Sequence, residues 1–166
     1  MTYSDQKQAL KLALKGIIYY QKALEIKIKH NDFGSQASTY HQLGIIAEQQ
    51  KQWLIAEGHF QKTVEILDDS DDHFGQAAPF YMLGLIAEEQ EKWNIAIDQF
   101  CQSLELYMAF NDEYWADITL SRLVQVWQVA VAQDAAFSAQ SQAPAQLAEI
   151  LGVSVAEALA VLEDEE

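Results

Sequence analysis

The chain has 166 residues and a formal net charge of −15, from 25 acidic and 10 basic residues. Such a balance disfavours nucleic acid and anionic membranes as partners, because both are bound through cations that neutralise phosphates. A single cysteine, Cys101, excludes an internal disulfide and indicates a reducing, cytoplasmic compartment.

The N-terminal segment is predicted to be a helix that ends near Lys29. Only seven Gly and two Pro occur in the chain, and abundant Ala, Leu, Gln and Glu favour helix throughout. No apolar run approaches the roughly 20 residues that cross a bilayer. At an offset of 40 positions the segment shares residues with the sequence that follows, namely Gln21, Lys22, Glu25 and Ile26. Residues 1–33 are therefore predicted to be a half-repeat.

The next 80 residues contain an internal repeat. Residues 36–75 align without gaps with residues 76–115, so the period is 40 and the repeats are assigned to 34–73 and 74–112. In each unit, apolar residues recur every three or four positions in two series separated by a short polar turn. The predicted elements are helices at about 34–50 and 53–68, at 74–90 and 93–109, and at 113–133.

Gly44 and Gly84 lie inside otherwise strong helices, where glycine costs about 1 kcal/mol relative to alanine. Packing must therefore favour them, and we expect a side chain there to hold two helix backbones apart. Small residues on the second helix and an aromatic residue one turn later complete the predicted contact. These residues are Ala56 and Phe60 in the first unit and Ala96 and Phe100 in the second.

These residues resemble the signature of the tetratricopeptide repeat. The series Leu-Gly, Ala, Trp, Ala and Phe occurs twice, beginning at Leu43 and at Leu83. The usual unit has about 34 residues, and the 40-residue unit resembles the repeats of kinesin light chains and of many bacterial multidomain signalling proteins. No proline closes either unit, and Thr63 and Ser103 replace the usual small residue late in the second helix. The resemblance covers roughly residues 10–133.

The resemblance implies an all-α, right-handed superhelical solenoid of antiparallel helix hairpins over residues 1–133. First helices would line a concave face, and the positions that the scaffold does not use would form a partner-binding groove. The predicted groove residues are His41, Ile45, Glu48, Gln49, Tyr81, Leu85, Glu88, Glu89, Gln125 and Gln128.

Carboxylates are expected to select the ligand of this groove. In chaperone-binding members of the family, cations in the equivalent groove hold a C-terminal carboxylate, but here Glu48, Glu88 and Glu89 occupy that region. The pattern favours a protein or peptide segment that carries apolar anchors together with Lys or Arg. The alternative is an ordinary solvated helix face.

No pattern indicates an enzyme, a cofactor or a metal. The acidic segment at residues 68–73 lacks the glycine and closing glutamate of a calcium loop, so it is predicted to cap the helix that follows. The four histidines never form an i, i+4 pair, and Cys101 has no histidine partner apparent from the sequence. Phosphate-binding and nucleophile motifs are absent.

The C-terminal region has a different composition. Residues 134–144 are rich in Ala, Gln and Ser and are predicted to be a linker, followed by short amphipathic helices within 145–166. A break is expected at Gly152, with Ser154 capping the second helix. This pair either caps the last hairpin or docks in a groove, its own or that of a second copy, which would make a homodimer.

Two functions follow from these patterns. The first is a non-catalytic scaffold or sensor module that binds a partner segment, as the family resemblance implies. The second is an assembly module that joins copies through the solenoid ends or the C-terminal helices.

Overall fold

The computed structural model describes residues 3–164, without the side chains of residues 3, 4, 6, 9, 10 and 13. Over these residues the chain contains helices and no strand, which confirms the predicted all-α class. The helices are α1 (Tyr3–Lys29), α2 (Phe33–Gln49), α3 (Trp53–Asp69), α4 (Ala77–Glu89), α5 (Trp93–Ala109), α6 (Glu113–Gln133), α7 (Phe137–Gln140), α8 (Ala143–Leu151) and α9 (Val155–Glu163). A 3-10 turn at Phe74–Gln76 precedes α4.

The helices form two compact units, Met1–Asp72 and His73–Glu166. In the first unit, α2 and α3 form an antiparallel hairpin, since early residues of one helix meet late residues of the other. The hydroxyl of Thr63 on α3, for example, lies 3.5 Å from the carbonyl oxygen of Ala37 on α2. In the second unit, Ser103 on α5 donates a hydrogen bond of 2.9 Å to the carbonyl oxygen of Ala77 on α4. The two hairpins therefore close in the same way.

Each hairpin is packed around an aromatic ring that lies on a glycine. A β-carbon on Gly44 would lie 2.8 Å from Cε1 of Phe60, and one on Gly84 would lie 2.6 Å from Cε1 of Phe100. Both rings are fully buried. A side chain at either glycine would therefore meet the ring of the partner helix before it met that helix's backbone.

The connections between helices recur every 20 residues. Five non-glycine residues adopt a left-handed backbone there, at Asn31, Lys51, Asp71, Glu91 and Asn111. In each case, this residue and the next donate backbone hydrogen bonds to the end of the preceding helix; Lys51 bonds to Glu48 and Gln52 bonds to Ala47. These paired bonds form the Schellman motif, which satisfies the last carbonyls of a helix. Helices α1 to α5 thus end through the same backbone motif.

Capping differs between the connections. Asp32 accepts a hydrogen bond from the backbone N–H of Ser35, and Asp112 accepts one from Trp115, so carboxylates cap α2 and α6. Helix α4 has Gln76 as its N-cap residue, whose side chain makes no capping bond, and capping by the acidic segment 68–73 stays a prediction. The intervening 3-10 turn separates the acidic segment from the start of α4.

The C-terminal helices pack on the second hairpin and on α6. Helix α8 contacts α5, and α9 contacts α6, with Leu147 and Leu162 fully buried in the shared core. Gly152 ends α8 in the left-handed conformation, and Ser154 forms a capping box with Glu157 at the start of α9. Both features agree with the predicted break and cap.

Helix α6 does not continue the hairpin pattern because its residues at the small positions are large. Val124 and Trp127 stand where the preceding unit has Gly84 and Ala87. The indole of Trp127 is buried and meets Phe137 edge to face, with ring centroids 5.7 Å apart. A second helix at hairpin distance would collide with these side chains, so shorter helices cover α6 instead.

No single helix within residues 3–164 is long and apolar enough to cross a membrane. Together α8 and α9 have the length and composition for a span, but the chain bends by 109° between them.

Candidate binding face on the first helices

The predicted groove residues of the first unit lie on one face of α2. His41, Ile45, Glu48 and Gln49 follow the spacing of successive helical turns. The imidazole of His41 meets the ring of Phe60 edge to face at 5.3 Å, and burial lowers its pKa. Ile45 and Glu48 are half-buried, and Gln49 is exposed. His41 thus belongs partly to the hairpin core, and Ile45 with Glu48 offers the mixed apolar and acidic surface.

In the second unit, α4 carries the equivalent residues. The ring of Tyr81 packs on Phe100 at 5.4 Å and on Trp115 of α6 at 6.2 Å. Leu85 is half-buried against the core, whereas Glu89 is exposed. The aromatic and apolar floor expected from the sequence therefore also joins α4 to its neighbouring helices.

Glu88 forms an ion pair with Arg122 of α6. The distance from Oε2 of Glu88 to Nε of Arg122 is 2.9 Å, and Nη1 of Arg122 donates a second bond of 3.2 Å to Oε1 of Gln125. The side chains of Glu88, Arg122 and Gln125 are therefore linked in a row across α4 and α6. Two of them, Glu88 and Gln125, are predicted groove residues. The sequence-based assignment missed Arg122, although it is the sole arginine of the protein and lies three residues before Gln125.

Gln128, the last predicted groove residue, contacts the C-terminal segment. Its Nε2 donates a hydrogen bond of 3.0 Å to the backbone carbonyl oxygen of Asp164. The end of α9 therefore reaches the helix face on which Gln128 lies. Glu89 is the other predicted acidic groove residue of this unit. Among the described residues, its carboxylate has neither an ion pair nor a hydrogen bond.

The single cysteine, Cys101, lies on α5 and is buried. Burial raises the pKa of the Cys101 thiol to about 12, with Asp98 and Glu105 adding to the shift, so the thiol is protonated at neutral pH. Within the part of the chain that the structure describes, no three His, Cys, Asp or Glu side chains are placed to hold a metal ion.

Repeated antiparallel hairpins, each with an aromatic ring on a glycine and the same helix-end motif, define a helical-repeat protein. Residues 35–109 match the family model of the tetratricopeptide repeat, which confirms the predicted resemblance over these residues. This class is a non-catalytic scaffold that generally mediates protein–protein interactions. Searches of the curated proteins and of the solved structures find no match.

Proposed function

We propose that the chain is a non-catalytic scaffold whose first helices bind a partner segment with an apolar anchor and nearby Lys or Arg residues. The observation that carries this proposal is the same on both hairpins: a half-buried aliphatic side chain lies one turn from a carboxylate. The pairs are Ile45 with Glu48 and Leu85 with Glu88 and Glu89. Such a surface combines a site for apolar contact with charges that orient a cationic segment.

The ion pair of Glu88 refines this proposal. Because Arg122 neutralises Glu88, a basic partner segment would meet Glu89 first on the second unit and Glu48 on the first. A Lys or Arg of the partner that approaches Glu88 would be repelled by Arg122, which already binds Oε2 of Glu88. We therefore infer that Arg122 weakens binding of basic segments and so contributes to selectivity.

A peptide array tests the sign of the charge preference before any natural partner is identified. The array would carry short peptides with Leu or Phe anchors in two matched sets, one with Lys and Arg and the other with Asp and Glu at the same positions. Retention of the basic set is the expected result. Equal or stronger retention of the acidic set would remove the proposal.

Charge-reversal variants then locate the site. Glu48→Lys combined with Glu89→Lys should weaken binding of a retained basic peptide about tenfold, because two attractions become repulsions. The matched control is Asp69→Lys with Glu105→Lys, which changes the charge equally at exposed positions on the second helices α3 and α5. An equal loss in both variants would indicate a general electrostatic effect rather than a site on the first helices.

Assembly of copies is the second candidate function, and an exposed surface of α1 favours it. Ile18, Tyr19 and Ile26 of α1 are exposed by 52%, 80% and 61%. The apolar side chains of Leu147 and Leu162 in the C-terminal helices are already buried within their own unit, so these side chains are not available to join copies.

A further inference from the structure

Charge is distributed unevenly along the chain. Helix α1 contains six of the nine lysines and only two acidic residues, Asp5 and Glu25, which gives a net charge of +4. Residues 30–166 contain the other four basic residues and 23 acidic residues, a net charge of −19. A basic helix thus belongs to a chain that is otherwise strongly acidic.

The lysines of α1 form an exposed stripe. Lys15, Lys22 and Lys29 recur every seven residues, which is two helical turns, and all three are exposed. Ile18 and Ile26 lie between them on the same side of the helix. The opposite face of α1 packs towards α2, where Lys27 donates hydrogen bonds to Thr39 and to the carbonyl oxygen of Ser35. The stripe is a basic surface with apolar residues that no other described element of this unit covers.

An acidic groove, opposite in charge to the lysine stripe of α1, runs between α5 and α8. Its volume is about 740 Å³, and its walls carry the carboxylates of Asp98, Glu105 and Glu149. Cys101, Met108 and Ile150 supply apolar surface, and no Lys or Arg is among the described residues that line it. Gln146 of α8 donates a hydrogen bond of 2.8 Å to Asp98, which ties the two walls together at one point.

The two surfaces have the same spacing of charge. Asp98 and Glu105 lie seven residues apart on α5, so they are separated along the helix by about 10.5 Å, as are Lys15 and Lys22 on α1. A helix laid along the groove can therefore bring both lysines opposite both carboxylates. Ile18, which lies between the lysines, would then meet the apolar surface at Cys101 and Met108.

We propose that α1 of one copy docks along the α5–α8 groove of a second copy. Two α1 helices would repel each other, so the contact joins different surfaces of the two molecules and is head to tail. Such a contact leaves one free α1 and one free groove in every pair, which allows growth into rings or open chains. This assembly uses neither of the first-helix faces and does not depend on the proposed peptide binding.

Complementary charge variants test the proposal. In the first variant, Lys15→Glu and Lys22→Glu reverse the stripe; in the second, Asp98→Lys and Glu105→Lys reverse the groove. Sedimentation velocity at several concentrations would be measured for the wild type, for each variant and for their equimolar mixture. Lys51→Glu with Lys92→Glu is the matched control, because these exposed lysines lie in turns outside both surfaces. Lys15→Gln with Lys22→Gln removes the charge while keeping residues of similar helix propensity.

The wild type and the control should associate with increasing concentration, and added salt should weaken the association. Each single-surface variant should associate at least about tenfold more weakly, the neutral variant should be intermediate, and the mixture should associate again. A wild type that stays monomeric would overturn the proposal. The proposal would also be overturned if the variant with Lys15→Glu and Lys22→Glu associated as well as the wild type. The same holds if the mixture associated no more strongly than either variant alone.

Discussion

The hairpins α2–α3 and α4–α5 share their internal contacts but differ on their outer surfaces. Both place a phenylalanine ring on a glycine, both join the helices through a hydroxyl late in the second helix, and both turn through a left-handed residue. On the surface, His41 and Glu48 of the first hairpin correspond to Tyr81 and Glu88 of the second. Only Glu88 has an arginine partner.

This difference separates the residues that determine the fold from those that can determine which partner binds. Positions inside a hairpin must satisfy a contact of fixed size, so the repeat keeps them nearly unchanged. Positions on the first-helix face are free to vary once the hairpin is closed. Mutations at the shared contacts should therefore have the largest effects, and mutations on the differing surfaces the smallest.

The largest effect is expected at the glycines beneath the rings. Gly84→Ala should lower the free energy of unfolding by about 1–3 kcal/mol, because the added methyl overlaps the buried ring of Phe100. Gly44→Ala should cost less, since the clearance from Phe60 is slightly larger. Gly58→Ala is the control, because nothing lies near its β-carbon, and it should stabilise the protein by about 0.5–1 kcal/mol. Urea unfolding would measure all three, and equal effects at Gly84 and Gly58 would contradict the packing argument.

The buried hydroxyls should rank next. Ser103→Ala removes a hydrogen bond of 2.9 Å from Ser103 to the carbonyl oxygen of Ala77 and should cost about 1 kcal/mol. Thr63→Val should cost less, because the Thr63 hydroxyl lies 3.5 Å from the carbonyl oxygen of Ala37 and donates its shorter bond, 2.9 Å, to His59 within α3, a local contact that adds little to stability. The comparison of urea midpoints tests this order. A larger decrease in unfolding free energy for Thr63→Val than for Ser103→Ala would contradict this order.

The turns within the hairpins offer a smaller, stabilising effect. Lys51 and Glu91 adopt φ values of 57° and 56°, a region in which side chains other than those of Asn and Asp are disfavoured. Lys51→Gly and Glu91→Gly should each raise the free energy of unfolding by about 0.5–1 kcal/mol. Asn111→Gly, at a φ of 58°, should change it less, since asparagine tolerates this conformation. Thermal melts of the three variants would measure the difference.

The two hairpins should also differ in their response to acid. Burial lowers the pKa of both His41 and His59, so their neutral forms are favoured in the folded chain. Their contribution to stability is present at neutral pH and is lost as the pH falls from the unfolded value of about 6.5 through the lower folded value. His41→Tyr, which introduces the residue found in the second hairpin, should reduce the loss of unfolding free energy between pH 7 and pH 5. An unchanged pH profile would exclude a contribution from His41.

The helices could be predicted from the sequence because they depend on local patterns and on a repeat. Identical residues at Leu43 and Leu83, with the periodic apolar series around them, fixed the hairpin positions, and the bounds of α2, α3, α5 and α6 agree with them within one residue. The importance of Gly44 and Gly84 was also apparent. Which atoms lie against them was not, since this depends on the rotation of one helix about the other.

The candidate face was less predictable because its electrostatics depend on contacts between helices. Glu88 and Arg122 are 34 residues apart, and no helical period links them. Their pairing follows from how α4 and α6 pack. Similarly, Trp127 was not recognised as the anchor of the C-terminal cap, although its size at a position otherwise held by alanine was a usable signal.

The most direct test of the central claim, that the first helices form an acidic face for a basic partner segment, is the affinity of Arg122→Gln for the basic peptides of the array. Loss of the arginine frees the carboxylate of Glu88, so affinity measured by fluorescence anisotropy should increase about threefold. Arg122→Lys, which keeps the charge, should bind like the wild type. Weaker binding by Arg122→Gln, or a gain for the acidic peptides alone, would contradict the account.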